Sequence, residues 1–411
     1  MNRTANGSLE TRRDLEAALA GDHHRRPSVL LVTHYYPKHG GGVEIVAGQL
    51  ATRLSSEVDV QWHAAAPGAQ SVPSSVEVRP MRCWNGLERR FGLPIPLPSP
   101  PAVLSLVKAV READLVWVHD LLYPANLVTA VAAIKARKPL VVTVHVGAIP
   151  YRNRIVRQTM AASLALAGRW LLTRAAAVAF VSERVQTEFL ARWRLRHQQL
   201  IPNGVDLETF KPLSERERNR VRGELGLVDR PVVLFVGRFV ERKGLRLLNE
   251  LAKRMPSTDW VFAGSGPLDP GSWALPNVRV ERERSGRTLA ELYGAADLLV
   301  LPSVGEGFPL VVAEGLAMGL PVLIDPSTIA GYRAVASVAD GEPVTGADAV
   351  GRWAAHIGAI LSDRTSRAVM VPRRVEFARS HWDWDRAAAA YAGMFAEVLD
   401  ADAGARLGSD C

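Results

Sequence analysis

The chain has 411 residues, of which 48% are hydrophobic and 22% charged, and its formal net charge is +8. A chain of this length exceeds the usual size of one hydrophobic core, so it is predicted to form a globular protein of two domains. Two cysteines, Cys83 and Cys411, are too few for a disulfide framework or a zinc site. No apolar run approaches the roughly 20 residues that span a membrane.

The first 26 residues are polar and charged and lack the apolar core of a secretory signal, so we expect a disordered tail and a cytoplasmic protein. Four short runs then predict buried parallel strands: SVLLVTHYYP, VDVQWHAAAP, ADLVWVHD and PLVVTVHVG. Between the first two, apolar residues from Val43 to Leu50 recur at helical spacing. This alternation predicts a doubly wound α/β domain over residues 27–205.

The pattern of strands and helices then starts again. A proline-rich stretch at 92–101 interrupts the first domain and is interpreted as a surface loop that could shape an acceptor pocket. Beyond residue 205, the runs PVVLFVGR, DWVFAG, NVRVE, ADLLVLPS and LPVLID predict the strands of a second α/β domain, residues 206–380. Residues 381–411 are predicted to form a final amphipathic helix and tail. Ligands of two such domains are expected at the carboxyl ends of their strands.

The positive charge is concentrated in the first half of the chain. Residues 1–200 contain 25 Lys and Arg against 14 Asp and Glu, whereas the remainder contains 25 against 28. Clusters of Arg with aromatic residues recur at 82–91, 151–157 and 191–197. They favour an anionic partner, which could be the inner face of a membrane or a phosphorylated acceptor. No nucleic-acid-binding motif accompanies them, so no nucleic acid partner is expected.

Two loops carry candidate anion-binding groups. In HYYPKHGGGVE, Gly41 and Gly42 precede a predicted helix, where backbone N–H groups favour an anion. The dinucleotide fingerprint G-x-G-x-x-G is absent here and in GSGPLD. In VGRFVERKG, Arg238 and Lys243 follow a predicted strand, and a guanidinium beside an ammonium suits a diphosphate.

The stretch EGFPLVVAEGLA contains Glu306 and Glu314 in apolar surroundings, where an unpaired charge is costly. A carboxylate accepts hydrogen bonds from paired hydroxyls well, so sugar hydroxyls are natural partners of both side chains. Glu306 lies in a predicted loop, and Glu314 lies a turn or so into the following helix. The loop backbone is expected to face the same ligand through Gly307, Phe308, Pro309 and Leu310.

Five motifs occur in order between about residues 28 and 325: HGGGVEIVAGQLATRL, IPNGVDLETFKP, VGRFVERKG, FAGSGP and ELYGAADLLVLPSVGEGFPLVVAEGLAMGLPVL. In this combination the chain resembles the family 4 retaining glycosyltransferases. That resemblance implies the GT-B fold, in which two Rossmann-like doubly wound domains face a central cleft. It also implies transfer of a sugar from a nucleotide diphosphate sugar to an acceptor, which we expect to be a lipid-linked or polysaccharide-precursor glycan.

The resemblance assigns roles to individual residues. Glu306 would hold hydroxyls of the donor sugar, and Glu314 would hold the ribose hydroxyls of the nucleotide. Arg238 and Lys243 would clamp the diphosphate, and the backbone at Gly41 and Gly42 would approach the phosphates. His145, in TVHVG, matches the first-domain histidine near the anomeric centre; by itself it could equally be a buried structural residue.

Two sequence features and the function itself leave alternatives open. The segments 278–286 and 329–346 depart from the family pattern, so the base of the nucleotide stays open. Asp383 and Asp385 resemble a D-x-D metal motif but lie at a predicted helix start, where Asp is a favoured cap; no metal and no other cofactor is expected. A sugar-nucleotide epimerase, a phosphorylase or a non-catalytic nucleotide- or glycan-binding protein of the same fold is the alternative function.

Overall fold

The structure is a computed structural model that describes residues 25–39, 41–66, 68–86, 95–147, 154–227 and 230–407. The expected tail, apart from its last two residues, lies outside these ranges. So do parts of the proline-rich stretch and of the first two Arg-aromatic clusters. Contacts divide the chain into two compact units. The first comprises residues 1–181, 185–202 and 385–411, and the second comprises residues 182–184 and 203–384.

The first unit is built on a seven-stranded parallel sheet with the order β3-β2-β1-β6-β7-β8-β9. Its strands are β1 Ser28–Tyr35, β2 Asp59–Ala65, β3 Glu77–Met81, β6 Leu115–His119, β7 Leu140–Val144, β8 Ala177–Phe180 and β9 Gln198–Leu200. A separate antiparallel pair is formed by β4 Cys83–Trp84 and β5 Leu97–Pro98. The central strands are buried on both faces, as their nearly continuous apolar sequences require.

Helices surround this sheet. They are α1 Gly42–Leu54, α2 Pro100–Glu112, α3 Pro124–Lys135, α4 Arg154–Ser163, α5 Arg169–Leu172, α6 Glu183–Leu190 and, at the end of the chain, α15 Trp384–Leu407. A π-helical segment, Leu164–Gly168, joins α4 to α5. Among the described residues, none of the helices combines the length and the apolar character that a bilayer crossing needs.

The final helix returns to the first unit. Tyr391 of α15 packs against Trp117 of β6, with ring centroids 5.1 Å apart, and its hydroxyl lies 3.0 Å from Thr143 Oγ1 on β7. The sequence predicts residues 381–411 as a helix and tail of their own. The contacts instead divide them, because Trp384 groups with the second unit and the helix beyond it packs on the first sheet.

The second unit contains a six-stranded parallel sheet with the order β12-β11-β10-β13-β14-β15. Its strands are β10 Val232–Val236, β11 Asp259–Ala263, β12 Val278–Glu281, β13 Leu298–Leu301, β14 Val322–Ile324 and β15 Asp340–Gly341. Its helices are α7 Glu215–Glu224, α8 Leu245–Arg254, α9 Gly286–Ala295, α10 Leu310–Ala317, α11 Pro326–Ile329, α12 Ala349–Ser362, α13 Arg364–Val369 and α14 Val371–His381. Two parallel α/β units confirm the predicted fold class.

Nine of the fifteen described strands lie where the sequence predicts them, and two of the others show why a strand can be missed. Strand β8 is hidden in the long apolar stretch that begins at Met160, where strand and helix segments look alike. Strand β3 is largely exposed at the sheet edge and carries Pro80, so it lacks the apolar signal of its neighbours. The predicted boundary near residue 205 lies close to the change of unit after Pro202.

Candidate functional site

Two loops at the carboxyl ends of neighbouring strands build the site in the second unit. Because β10 and β13 pair in parallel, the segments that follow them lie side by side. Gly244 ends the turn Glu241–Lys243 with a φ of +78°. A Cβ there would collide with the carbonyl oxygen of Pro302 after β13. Glycine therefore permits the close approach that brings Lys243 to the second loop.

Glu306 lies at the centre of a charged cluster in these loops. Its side chain is 10% exposed, and Lys243 Nζ lies 2.8 Å from its Oε1. Arg242 Nη1 lies 3.2 Å from the same oxygen, and Arg184 Nη2 donates to the backbone oxygen of Glu306 at 2.7 Å. The structure thus brings together two of the predicted site residues, Glu306 and Lys243. It adds Arg242 and Arg184, which sequence reasoning missed.

The charges in this cluster depend on one another. Burial by itself opposes ionisation of Glu306 and is the largest influence, but Lys243 and Arg242 outweigh it and lower the pKa of that carboxyl. Burial is also the largest influence on Lys243 and lowers the pKa of its ammonium; Glu306 opposes the change, whereas Arg242 and Arg238 add to it. The influence of Arg238 on Lys243 places the third predicted residue in the same electrostatic neighbourhood.

Glu314 occupies a separate position on α10. Tyr293 Oη, on α9, donates to Glu314 Oε2 at 2.7 Å and lies 3.4 Å from the oxygen of Val311. Burial raises the pKa of Glu314 to about 7, although the Tyr293 hydrogen bond opposes the shift. A carboxyl that titrates near neutrality is a frequent property of functional sites. Tyr293 was not predicted; it is part of the motif ELYGAADLLVLPS, but nothing in its spacing indicates the contact.

The segment between the two glutamates begins α10. Pro309 is the residue that precedes the helix, and Leu310 is its first residue. Pro309 has no backbone N–H, so the N–H groups expected to face a ligand are those of its neighbours. Phe308 packs edge-on against Trp382 with ring centroids 5.1 Å apart. That packing fixes the conformation of the loop from Gly307 onward.

In the first unit, histidines gather at the carboxyl edge of the sheet. His34, His119 and His145 lie at the ends of the adjacent strands β1, β6 and β7. His119 Nδ1 and His145 Nε2 are 2.9 Å apart, and Asp120 Oδ1 accepts from the backbone N–H of His145 at 2.8 Å. Burial is the main reason that the pKa of each ring in the pair is lowered. Both rings are therefore neutral at physiological pH.

The hydrogen bond within this pair restricts the tautomers. His119 is fully buried, and its Nε2 has no hydrogen-bond partner in the described part of the chain. A proton on that nitrogen would leave a buried donor unsatisfied. The favoured arrangement puts the proton of His119 on Nδ1, which donates to His145 Nε2. His145 then carries its own proton on Nδ1.

The glycine loop at α1 holds a carboxylate of its own helix beside the first of the two predicted glycines, whereas the space above Gly42 is open. Gly41 precedes α1, and Gly42 is its first residue. The space above Gly41 is taken by the carboxylate of Glu44, which is fully buried and pairs with His34 Nε2 at 3.0 Å and with His39 Nδ1 at 3.4 Å. Burial opposes ionisation of Glu44, but His34 and the hydrogen bonds lower its pKa. An internal anion thus already lies at this helix start.

The two aspartates considered as a metal motif have other roles. Asp383 directly precedes α15 and pairs with Val205 in an isolated β-bridge. Asp385, in the first turn of that helix, accepts from Arg53 Nε at 2.7 Å. Among the residues that the structure describes, no group of three His, Cys, Asp or Glu side chains has the geometry to hold a metal ion.

Family models match both units. The model described as Glycosyltransferase Family 4 matches residues 40–209, and the model described as Glycosyl transferases group 1 matches residues 230–363. Together they cover most of the chain, and the second spans the loops that hold Glu306 and Glu314.

The chain is similar to two named glycosyltransferases and to a solved structure. D-inositol 3-phosphate glycosyltransferase of Xylanimonas cellulosilytica is 34% identical over 48% of this chain and 51% of its own length. The GDP-mannose-dependent alpha-(1-6)-phosphatidylinositol monomannoside mannosyltransferase of Mycolicibacterium smegmatis is 26% identical over 87% of this chain and 95% of its own. Anabaena HepE in complex with UDP-glucose superposes with a TM-score of 0.72 at 20% identity, covering 92% and 100% of the two chains. The chain thus spans only about half of the first of these relatives, and the solved structure establishes a shared fold.

Proposed function

Because this chain belongs to the family 4 glycosyltransferases of the GT-B fold, we propose that it transfers a sugar from a nucleotide diphosphate sugar to an acceptor with retention of anomeric configuration. The acceptor is a lipid-linked or polysaccharide-precursor glycan on the cytoplasmic side of a membrane. The observation that carries the proposal is the buried Glu306 carboxylate held between Lys243 and Arg242.

The cations of this cluster stabilise the leaving group. Negative charge grows on the diphosphate as the glycosidic bond breaks, and preorganised cations supply the largest stabilising contribution to such a transition state. Lys243 has three N–H donors and donates one to Glu306, so two remain for phosphate oxygens. Arg238 and Arg242 add guanidinium groups suited to paired oxygens. These charges make a divalent metal unnecessary.

The two glutamates hold hydroxyl groups of the donor. Both ion pairs of Glu306 use Oε1, and the carboxylate keeps further acceptor capacity for hydroxyls of the transferred sugar. Glu314, oriented by Tyr293, accepts from the two ribose hydroxyls when it is ionised. The backbone of the loop that starts at Gly307 lies against the same molecule.

His145 acts as a neutral hydrogen-bond donor towards the transferred sugar. Its Nε2 is engaged by His119, and its lowered pKa keeps the ring uncharged. A neutral donor orients a sugar hydroxyl, and unlike a charged imidazolium it does not attract the diphosphate away from the cations that bind it. No residue is assigned as a covalent nucleophile, so the acceptor attacks from the face that the leaving group vacates.

The names of the relatives suggest the first substrates to test. They include UDP-glucose and GDP-mannose as donors, and D-inositol 3-phosphate and phosphatidylinositol monomannoside as acceptors. Purified protein is incubated with UDP- and GDP-sugars, with and without each acceptor, and nucleotide release and glycosylated product are measured. Acceptor-dependent product with retained anomeric configuration supports the proposal.

Other outcomes of the same experiment contradict it. Interconversion of donor sugars without transfer indicates an epimerase, and phosphate-dependent cleavage of a glycan indicates a phosphorylase. Tight nucleotide binding without turnover of any donor indicates a binding protein. The same assays in EDTA test the assignment of metal-independent transfer.

A further inference from the structure

The strand order of the first sheet reverses between β1 and β6. From β1 the chain continues to β2 on one side, and from β6 it continues to β7 on the other. Right-handed crossovers therefore place α1 and α3 on opposite faces, and the segments that begin at Tyr36 and at Asp120 separate and leave a crevice. Ligands of open α/β sheets bind at such a point. In the second unit the corresponding point lies between β10 and β13, which the loops of Lys243 and Glu306 follow.

Asp120, the first residue after β6, has a left-handed backbone. Its φ is +65°, which is costly for most residues with a side chain and which Asp tolerates better than others. Asn126, fully buried on α3, donates through Nδ2 to the backbone oxygen of Asp120 at 3.0 Å and also to that of His119. Unusual backbone that its surroundings hold in place in this way clusters at functional sites.

The carboxylate of Asp120 keeps unused hydrogen-bonding capacity. Asp120 is 5% exposed, and in the described part of the chain its side chain has one donor, the backbone N–H of His145, 2.8 Å from Oδ1. A carboxylate can accept about four hydrogen bonds, so most of its capacity is left for other groups. Burial of a carboxylate with one donor is unfavourable, and donors on a ligand would offset that cost.

The charges around this point favour hydroxyl groups over phosphates. Glu44, fully buried at the start of α1, lies in the same electrostatic neighbourhood, because its charge acts on both His119 and His145. These two rings are neutral. Lys38 is the only Lys or Arg in the segments 36–41 and 120–123, and it is exposed. Two buried carboxylates therefore outnumber the permanent cations here, whereas cations outnumber carboxylates in the cluster of the second unit.

Two neighbours of Asp120 suit a sugar ring close to the reacting centre. Tyr123, at the end of the same loop, is partly exposed and stacks on His34 with ring centroids 3.9 Å apart. It offers an aromatic body with a polar tip, which matches the C–H and O–H groups of a sugar. His145, whose backbone N–H donates to Asp120, is the residue proposed to donate to the transferred sugar. An acceptor hydroxyl bound by Asp120 would therefore lie near that sugar.

We propose that this β1–β6 crevice binds the acceptor through a neutral, hydroxyl-rich ring, and that the Asp120 carboxylate accepts hydrogen bonds from the hydroxyl groups of that ring. Tyr123 lies against the ring. Any phosphate of the acceptor lies away from the ring that receives the sugar. The proposal deepens the proposed function, from which it takes the acceptor and the role of His145.

Titration by saturation-transfer NMR tests this. The full chain, with and without UDP or GDP, is mixed with methyl glycosides of glucose, galactose, mannose and N-acetylglucosamine, with myo-inositol, and with the 6-phosphates of glucose and mannose. We expect at least one neutral ring to bind and the phosphates to bind more weakly. Asp120→Asn should weaken binding of the neutral ring at least about tenfold, because hydrogen bonds to a charged acceptor are lost. If no neutral ring binds, or if Asp120→Asn binds it as the unchanged protein does, the proposal is overturned.

The variants are chosen to keep the local structure. Asn tolerates a left-handed backbone, and its side-chain oxygen can still accept from the N–H of His145. Asp120→Gly, which keeps the backbone conformation and removes the side chain, should weaken ring binding at least as much. Asp114→Asn is the matched control, because Asp114 lies at the other end of β6 and accepts from the backbone N–H of Ser28 at 2.8 Å. Equal weakening in Asp114→Asn would assign the effect to overall charge and would contradict the proposal.

Nucleotide affinity separates this inference from the proposed function. Calorimetric titration with UDP and GDP should give the same affinity in Asp120→Asn and in the unchanged protein, because residues of the second unit form the candidate nucleotide site. Ring binding without any nucleotide binding would support the crevice and contradict the proposed function. Nucleotide binding without ring binding would overturn this inference alone. Preferred binding of the 6-phosphates that strengthens in Asp120→Asn would show that the class of ligand is wrong.

Discussion

The phenol of Tyr293 is expected to set the pH range in which Glu314 can bind a nucleotide. Its hydroxyl donates to Glu314 Oε2 at 2.7 Å, and the carboxyl has a pKa raised to about 7 by burial. Only the ionised carboxylate can accept from both ribose hydroxyls at once. Tyr293→Phe removes the hydrogen bond and keeps the buried ring, which packs edge-on against Phe210. The perturbation is therefore confined to the donor.

The size of the effect follows from the lost hydrogen bond. A hydrogen bond to a charged group contributes about 1.5–3 kcal/mol, and one pKa unit corresponds to about 1.4 kcal/mol. Without Tyr293 the pKa of Glu314 should rise by about one unit or more. Near pH 7 most molecules of the variant then carry a protonated Glu314, and nucleotide affinity should fall about tenfold. Raising the pH should restore it, because the carboxyl ionises again.

Calorimetric titration with UDP and GDP between about pH 6 and pH 9 measures this shift. Affinity of the unchanged protein should increase through neutral pH, and the midpoint should move upward in Tyr293→Phe. In Glu314→Gln the carboxyl is absent, so any remaining pH dependence of affinity comes from the nucleotide phosphate, which also titrates near pH 6. Tyr391→Phe is the matched control, because it removes a buried hydroxyl 3.0 Å from Thr143 in the other unit. An identical pH profile in the unchanged protein and Tyr293→Phe would refute the reasoning.

Four further predictions follow from the same contacts. Glu306→Gln and Arg238→Ala should each lower turnover at least a hundredfold, of the order seen for loss of a preorganised charged contact, with folding intact by circular dichroism. Glu314→Gln should raise the free energy of unfolding at pH 8 by up to about 3 kcal/mol and have little effect near pH 4. The reason is that the pKa of Glu314 is higher in the folded than in the unfolded chain. Its contribution to stability is therefore complete below the pKa of the unfolded chain and is lost as the pH rises to about 7. His119→Leu should lower turnover about tenfold through the lost hydrogen bond to His145, leave nucleotide affinity unchanged, and be partly rescued by His119→Asn. Transfer activity should persist in EDTA; loss that magnesium or manganese restores would contradict the metal-free assignment.

Much of the fold was predictable because its signals are local. The strands of parallel sheets are short, apolar and rich in β-branched residues, so Leu115–His119 and Val232–Val236 are apparent from their composition. The glutamate loop was predictable for a similar reason, since carboxylates in an apolar, glycine-rich stretch need partners. Which domain receives the final helix was not predictable, because the packing of Tyr391 on Trp117 joins residues far apart in the chain.

The remaining site residues depend on tertiary adjacency that spacing does not encode. His119 meets His145 because β6 and β7 pair in register, and the sequence shows only two histidines 26 positions apart. Tyr293 meets Glu314 across two helices. The carboxylate of Glu44 lies beside Gly41, and the motif alone cannot show that this side chain turns back over its own helix start. Sequence therefore located the loops, and the structure was needed to identify their partners.

The charge balance of the second-unit site gives a physical reason for Glu306 to accompany the cations that we propose bind the diphosphate. Arg238, Arg242 and Lys243 supply three positive charges against the one negative charge of Glu306, so an excess of two remains. A nucleotide diphosphate sugar carries about two negative charges on its phosphates, and the departing diphosphate gains more as the bond breaks. Without Glu306, Lys243 would be buried beside two guanidinium groups, and its lowered pKa would fall further. The carboxylate thus favours the ionised form of Lys243, and the donor proposed for this site would meet a preorganised charge.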